Sequence, residues 1–491
     1  MLTIVKELFE ELNKNNVIYV HFKSNEHLDL SLEGDTDFDL LIARDSSAVY
    51  EQCLMSMGFK RFNSQDYGRY PGVDDWLGFD FDTGKLIHLH THYQLVTGLS
   101  GFKNVVLPWS NLALKNGIVD DEMGVRIVCP EFELIELYTR IISKMGPIKN
   151  IKAYWKGFQL SSTDAREAAW LRERINSEKF SNILGLCFGE SKGSTISPFM
   201  SDDVSASDAK ILINDVNRVL SWNHRECGRF LSWRSYLHKK IGRVTRFAKS
   251  RFFVPWIFAK KTPHCGGLMI VFVGVDGSGK TTVSDEIAKW LSWKLETSRI
   301  GLGFGRFKKG YKYKLKQKTK KILWKRKSSS KVEEHDSKFV SSDIPIEASL
   351  KNRRKQKKWV KFSKDINRDI RRIHSYCLSG GVAVIDRYPQ LAFRGLSDGP
   401  KVNCAFPELV KAEYRNLSIV NDIQPDIVFK LIVPVELSKK RRPEDSLEVL
   451  QKKYEIISSL NYPKSKIVEI DATQPLEEEI KEIKRAIWDM L

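Results

Sequence analysis

The sequence predicts an α/β protein whose C-terminal part forms a parallel sheet, preceded by an α+β domain and a helical module. From Gly267 onward, apolar segments of strand length alternate with amphipathic helical segments, a pattern typical of parallel sheets. Near the N-terminus, short apolar strands are separated by turn signals, and from about Cys129 the apolar period becomes helical. We therefore expect domains at 1–124, 125–245 and 266–491, with a basic-aromatic linker at 246–265.

Composition limits the class of protein. The chain has 491 residues, enough for two to four domains, and 42% of them are hydrophobic. Its seven cysteines are scattered and form no Cys-x-x-Cys pair, which argues against a disulfide framework or a zinc site and predicts a reducing, cytoplasmic location. The first residues predict an amphipathic helix instead of a signal peptide, and no apolar run reaches membrane-spanning length.

The positive charge is concentrated in one segment. Residues 306–372 carry 25 Lys+Arg and seven Asp+Glu, so this segment accounts for 18 of the 19 net positive charges. Its first part, 306–361, is either a solvated insertion or a surface that contacts a polyanion. The polyanion hypothesis draws on the aromatic residues interleaved with the charge, which are Tyr311, Tyr313, Trp324 and Trp359. A second basic-aromatic stretch, 239–261, predicts either a packed interdomain connector or a contact with an anionic membrane.

The N-terminal domain contains a pair of carboxylates beside a glycine turn. Asp37 and Asp39 follow Gly34 at alternate positions of a predicted strand, so they share one face and could bind a divalent metal. Solvated acids on an edge strand are the alternative. This pattern resembles the nucleotidyltransferase fold, which implies a third carboxylate on a neighbouring strand. Asp80 and Asp82 are candidates for it, at the end of a predicted hairpin strand.

The second strand of that hairpin carries three histidines at alternate positions. They are His88, His90 and His92, at the place where the resemblance implies the third carboxylate. Shared-face histidines can ligate metal, or they can form a half-exposed strand face packed under a loop. The domain could therefore have lost or altered a nucleotidyl transfer activity.

A phosphate-binding loop pattern, Gly-x-x-x-x-Gly-Lys-Thr, lies between an apolar strand at 268–273 and an amphipathic helix at 283–295. Glycines let several N–H groups point at phosphate oxygens, and the following helix directs its positive end at the same anion. We expect Lys280 to contact the β- and γ-phosphates of ATP and Thr281 to ligate Mg²⁺; a plain glycine turn is the alternative. The predicted cofactor-binding residues are Gly274, Asp276, Gly277, Ser278, Gly279, Lys280, Thr281 and Thr282.

Further motifs follow in a fixed order: Asp386-Arg387-Tyr388 after an apolar strand, Pro425-Asp426-Ile-Val before a basic helix, and Ile-Asp-Ala-Thr at 470–473. With the phosphate loop, they make residues 267–491 resemble thymidylate kinase and related P-loop nucleotide kinases. The resemblance implies that Asp386 lies near the metal, that Arg387 clamps an acceptor anion and that Asp276 faces the acceptor. It also implies that Arg441 or Arg442 is a lid arginine. The alternatives are a helix cap for Asp386 and a solvated helix face for the arginines.

These observations lead to one favoured hypothesis and two rivals. The favoured one is an ATP- and Mg²⁺-dependent kinase whose acceptor is a nucleotide or a sugar- or glycan-linked metabolite bearing phosphate. The insertion and the N-terminal domain depart from simple nucleotide kinases, which puts thymidine monophosphate in doubt as the acceptor. The rivals are a nucleic-acid-processing protein and a nucleotide-gated binding module. The sequence does not fix the oligomeric state, and a homodimer is one of the states it allows.

Overall fold

The computed structural model of the protein divides into two compact units, Met1–Ile257 and Phe258–Leu491. The structure describes residues 1–65, 69–70, 72–99, 102–121, 123–189, 196–222, 237, 241, 258, 260–302, 345–443 and 445–491. Most of the expected helical module beyond residue 222, most of the 246–265 linker and residues 306–344 of the basic insertion lie outside this part of the chain.

The first unit combines a mixed sheet with helices. Its strands are β1 (Tyr19–His21), β2 (Phe38–Ile42), β3 (Lys60–Asn63), β4 (Val73–Phe79), β5 (Leu86–His92), β6 (Leu95–Thr97), β7 (Val105–Leu107), β8 (Gly117–Val119), β9 (Arg126–Val128), β10 (Phe158–Gln159) and β11 (Asp203–Val204). Its helices are α1 (Thr3–Lys14), α2 (Leu28–Leu32), α3 (Ser47–Ser56), α4 (Ser110–Lys115), α5 (Pro130–Lys144), α6 (Pro147–Lys156), α7 (Ser162–Arg172), α8 (Ser177–Phe188) and α9 (Ala206–Trp222).

The main sheet of this unit places its strands in the order β3-β4-β5-β2-β1-β9-β8. The β2–β5 and β1–β9 pairs are parallel, and the other pairs are antiparallel. The predicted β4–β5 hairpin is confirmed, with its turn closed by the bond from the Asp80 N–H to the Lys85 carbonyl at 2.9 Å.

Apolar side chains cover both faces of this sheet because neighbouring residues of a strand point to opposite sides. Phe38 and Leu40 of β2 join the cluster formed by α1, while Leu41 joins the cluster of α5 and the helices that follow. This second cluster shows that α5 and the helices after it pack on that face of the sheet. Asp39 lies between Leu40 and Phe38 in sequence, so it belongs to the face that the helical module covers.

Helix α5 shows why the module forms where it does. Pro130 occupies its first turn, where a missing N–H costs nothing, and two glutamates follow there as the helix dipole favours. Phe132, Ile135 and Tyr138 are fully buried, and each such side chain contributes roughly 1.5–3 kcal/mol.

The second unit contains a parallel sheet. Its strands are β12 (Thr262–Pro263), β13 (Leu268–Gly274), β14 (Thr297–Ile300), β15 (Val382–Ile385), β16 (Ile427–Ile432) and β17 (Lys466–Asp471). Its helices are α10 (Lys280–Leu291), α11 (Leu350–Leu378), α12 (Pro407–Leu417), α13 (Ile419–Asp422), α14 (Val435–Arg441), α15 (Leu447–Ser459) and α16 (Leu476–Trp488).

Five of these strands pair in the order β14-β15-β13-β16-β17, and every pair is parallel. The predicted α/β class and parallel sheet are confirmed. Strand β13 lies in the middle and is buried from Leu268 to Val273, as expected for a strand covered on both faces. The carboxyl ends of β13, β15 and β16 therefore meet at one edge of the sheet, where open α/β sheets bind ligands.

Two further expectations concern surfaces. Trp359, one of the aromatic residues interleaved with the basic charge, packs against an apolar cluster that includes Val402 and Phe406, and Lys401 Nζ lies 5.0 Å from the centre of its ring. Among the described residues, no helix is both long enough and apolar enough to cross a membrane.

Candidate functional site

The glycine loop lies at the carboxyl end of the central strand β13 and leads directly into α10. Gly277 and Gly279 have φ values of +84° and +90°, which L side chains rarely adopt. A Cβ atom on Gly274 would lie 2.5 Å from Ser278 Oγ and 2.9 Å from the Leu431 carbonyl oxygen. The helix begins at Lys280, three residues before the predicted start at 283. Lys280 and Thr281 are therefore part of both the phosphate-loop pattern and the first helical turn, whose N–H groups have no partner within the helix.

Lys280 folds back over this loop. Its Nζ donates a hydrogen bond to the Val275 carbonyl at 2.6 Å. Burial lowers the pKa of the Lys280 ammonium to about 8, although Asp276 acts in the opposite direction. An ammonium desolvated in this way is stabilised by an anion, and a phosphate group beside the loop would supply one.

Asp276 is balanced by two cations from distant parts of the chain. Lys453 of α15 donates a short hydrogen bond to Asp276 Oδ2, and Arg387 lies 3.6 Å from Oδ1. Burial acts to raise the pKa of Asp276, but Lys453 overrides it and holds the pKa at about 2. Asp276 is therefore an anion at neutral pH, and its position connects the glycine loop with the Asp-Arg-Tyr segment.

Asp386 stands at the carboxyl end of β15, next to β13. Its Oδ2 accepts a hydrogen bond from Arg299 at 3.1 Å. Its Oδ1 is buried and has no hydrogen-bond partner among the described residues. A buried carboxylate oxygen without a hydrogen-bond partner suits a cation ligand. Thr281, at the start of α10, presents an exposed side chain.

The basic end of α14 borders the glycine loop. Arg441 donates from Nη1 to the Gly277 carbonyl at 3.0 Å. A Cβ atom on Gly277 would lie 3.3 Å from Arg442 Cγ, so both arginines of the predicted lid lie beside the loop. Both are exposed, as the solvated-face alternative also requires.

A strained loop follows the Asp-Arg-Tyr segment. Ser397 and Asp398 have φ values of 47° and 61°, the left-handed region that is unfavourable for most residues. Gln390 stabilises the loop by accepting from the Phe393 N–H and donating to its carbonyl, both at 2.7 Å. The loop brings Asp398 to 3.8 Å from Arg387. Strained backbone of this kind is concentrated at functional sites.

The first unit has its own polar site, on the face of the sheet covered by the helical module. Asp39 of β2 is opposite His90 of β5 in the register, and its Oδ1 lies 2.9 Å from His90 Nδ1. His92 Nε2 lies 3.6 Å and Lys23 Nζ 2.9 Å from the same oxygen. Burial acts to raise the pKa of Asp39, yet Lys23 and the two histidines keep it well below its usual range.

Asp37 and Asp75 flank the remaining histidine. His88 Nδ1 lies 2.9 Å from Asp37 Oδ1, and its Nε2 lies 3.0 Å from Asp75 Oδ1. Since His88 and His92 are buried, the half-exposed strand face proposed for the histidines is wrong for these two.

The expected substitutes for a third carboxylate do not lie at this site. Asp80 accepts from the Ile4 N–H at 3.2 Å and from Thr83, and Asp82 accepts from Thr3 at 2.8 Å. Both belong to the turn after β4 and stabilise the start of α1. The carboxylate that lies at this site is Asp75 of β4. The sequence did not point to it because β4 already begins at Val73, seven residues before the turn that starts at Asp80, and only the acids next to the turn stood out.

The helical module also contributes buried glutamate and arginine side chains that no sequence motif predicted. Glu133 of α5 accepts from Asn25 Nδ2 at 2.6 Å, and burial raises the pKa of Glu133 to about 8. Arg140 donates to Glu167 at 2.7 Å and lies 3.4 Å from Glu136. Glu133 and Glu136 are interspersed with apolar residues along the buried helix α5, a spacing that does not distinguish them from surface acids in the sequence.

Comparisons with known proteins show that this chain is similar to distant relatives in Escherichia coli. No family model matches it. It is 26% identical over 227 residues to YghR, an uncharacterized ATP-binding protein of Escherichia coli K12; the match covers 45% of this chain and 86% of YghR. YghR of Escherichia coli O6:H1 matches over the same extent.

Proposed function

We propose that the second unit is an ATP- and Mg²⁺-dependent phosphotransferase of the thymidylate-kinase-like class, with a P-loop kinase fold. The observation that carries the proposal is the desolvated Lys280 ammonium held over a glycine loop at the carboxyl end of the central parallel strand. ATP binding to such a loop agrees with the name of the Escherichia coli relative, an ATP-binding protein.

Each side chain has a role that its position supports. Lys280 and the loop N–H groups bind the ATP phosphates, and Arg441 or Arg442 neutralises charge as the phosphoryl group moves. Thr281 and the unsatisfied Oδ1 of Asp386 would hold Mg²⁺, which would offset the negative charge of the phosphates.

The acceptor side is defined by Asp276, Arg387 and Asp398. Arg387 lies between the two carboxylates, at 3.6 and 3.8 Å, so a phosphate of the acceptor would compete with them for its guanidinium. Because the carboxylates can accept hydrogen bonds from hydroxyl groups, we propose a phosphate-bearing nucleotide or sugar- or glycan-linked metabolite as the acceptor.

The N-terminal sheet supports a second, coarser proposal. Asp37 and Asp39 lie side by side at one sheet face, as the nucleotidyltransferase-like hypothesis requires, but each carboxylate faces a histidine. We propose a nucleotidyltransferase-like domain whose chemistry is altered or lost.

The scattered cysteines, none of them disulfide-bonded among the described residues, favour a cytoplasmic location.

Two rival functions make different predictions. In a nucleic-acid-processing protein, the exposed cations of α11, such as Lys355 and Lys358, would contact a phosphate backbone. Binding would then weaken steeply with salt concentration. A nucleotide-gated binding module would bind ATP without forming a product.

Transfer of label from ATP tests the proposal. The purified chain is incubated with Mg²⁺, γ-labelled ATP and a panel of nucleoside monophosphates, sugar phosphates and short oligonucleotides. Label should pass to one acceptor class, vanish in Lys280→Ala and persist in Lys289→Ala, which removes an exposed lysine from the same helix. ATP binding without transfer to any acceptor would refute the phosphotransferase and favour the binding module.

A further inference from the structure

We propose that Asp39, His90 and His92 form a binding site for a divalent transition-metal ion of the Zn²⁺ type. Each residue offers one ligand atom, and these atoms all lie within 4.8 Å of one another. The site belongs to the first unit and is independent of the Mg²⁺ proposed for the phosphotransferase.

The distances between the ligand atoms fit a small coordination sphere. Asp39 Oδ1 lies 2.9 Å from His90 Nδ1 and 3.6 Å from His92 Nε2, and the two nitrogens are 3.3 Å apart. Ligands bonded at about 2.0–2.1 Å in a tetrahedron lie about 3.3 Å from each other. The three atoms therefore already form one face of such a tetrahedron and leave a fourth position for water or substrate.

The kind of ligand selects the kind of metal. Two imidazole nitrogens and one carboxylate suit Zn²⁺, Fe²⁺ and similar ions, whereas Mg²⁺ prefers oxygen ligands alone. Each imidazole directs one ring nitrogen towards the same Asp39 oxygen, His90 through Nδ1 and His92 through Nε2.

The backbone fixes these ligands without help from a loop. Asp39 and His90 are register partners on the parallel strands β2 and β5, and His92 follows on the same face of β5. The Phe22 ring packs edge-on against His92 with 4.9 Å between the ring centroids, which restrains the imidazole. Sites built on strands keep their geometry better than sites built on loops.

Two neighbours define the limits of the site. Asp37 faces His88 at 2.9 Å, so we place this carboxylate outside the metal's ligand set. Lys23 Nζ lies 2.9 Å from Asp39 Oδ1, and its positive charge competes with a metal ion for the same oxygen. Lys23 should therefore weaken metal binding.

The test uses tag-free, full-length protein that has been treated with a chelator and dialysed. Zn²⁺ affinity is measured by competition with a chromophoric chelator, and Co²⁺ serves as a spectroscopic probe of coordination. We expect one bound ion per chain and the strong visible absorption of four- or five-coordinate Co²⁺. Asp39→Asn and His90→Gln should each weaken binding about a hundredfold or more, as expected for loss of a ligand. His88→Gln, two residues along the same strand face, should change affinity less than about threefold.

Lys23→Met provides a variant whose expected effect cannot arise from misfolding. Removal of the competing charge should strengthen Zn²⁺ binding by about tenfold. The proposal is overturned if Lys23→Met leaves affinity unchanged or weakens it, or if His88→Gln loses binding as severely as His90→Gln. A weak octahedral Co²⁺ spectrum, or a near-ultraviolet thiolate band from cysteine ligation, would overturn it as well.

Discussion

The unusual protonation of Lys280 predicts that ATP binding takes up a proton. The pKa of this lysine lies at about 8, against an ordinary value of 10.5. That difference corresponds to at most about 3 kcal/mol of destabilisation of the charged form in the free protein. Phosphate oxygens of ATP beside Nζ remove this penalty, so the lysine should be fully protonated in the complex.

The size of the effect follows from simple titration. At pH 8 about half of the free protein has an uncharged Lys280, and at pH 9 about nine-tenths has. Binding of Mg²⁺·ATP should therefore take up about 0.5 proton at pH 8 and about 0.9 at pH 9. By the same linkage, the dissociation constant should rise about fivefold between these two pH values.

Calorimetry in buffers of different ionisation enthalpy measures both quantities. Lys280→Met should bind ATP more weakly and show no proton uptake at pH 9. Lys289→Met, which alters an exposed position of the same helix, should behave like the wild type. If the wild type takes up no proton at pH 9, or if uptake persists in Lys280→Met, the assignment of this lysine to the phosphates is wrong.

Three further predictions concern the same unit. Asp386→Asn should lower phosphoryl transfer roughly a hundredfold or more while ATP still binds without Mg²⁺, as measured by steady-state rates and metal-free titration. Gly274→Ala should destabilise the unit by about 1–3 kcal/mol, since its methyl group meets backbone and side-chain oxygens. Thermal unfolding should show no such loss for Gly146→Ala, which has open space around it. Wild-type stability should fall as the pH drops from about 4 to about 2, because Asp276 protonates in that range. Lys453→Met should remove about 2 kcal/mol at pH 7 and weaken this acid dependence in chemical denaturation.

Local sequence patterns predicted those structural elements whose residues form a recognisable motif or hydrophobic period. The glycine loop, the strands around it and the β4–β5 turn follow from steric and periodic rules that act within about ten residues. The predicted helix after the loop began three residues late, because apolar period alone does not show that Lys280 and Thr281 form its first turn.

The partners of the predicted site residues could not be found in this way. Arg299 reaches Asp386 from the neighbouring strand β14, and Lys453 reaches Asp276 from 177 positions along the chain. Lysines and arginines at such positions have the same sequence context as the many exposed cations of this basic chain. Only the strand order β14-β15-β13-β16-β17 brings them to the edge where the glycine loop lies.

The two polar sites follow a common physical rule. In each, a partly buried carboxylate is balanced by a lysine: Asp276, in the loop after the central strand β13, by Lys453, and Asp39, on strand β2, by Lys23. A partly buried carboxylate with neither a cationic side chain nor a bound cation beside it would rise in pKa and become neutral. Charge reversal at either lysine should therefore harm the fold more than a neutral, apolar replacement does. Lys23→Met removes a charge that competes with the proposed metal ion, so a gain in Zn²⁺ affinity in this variant separates binding from folding better than changes to the carboxylates themselves.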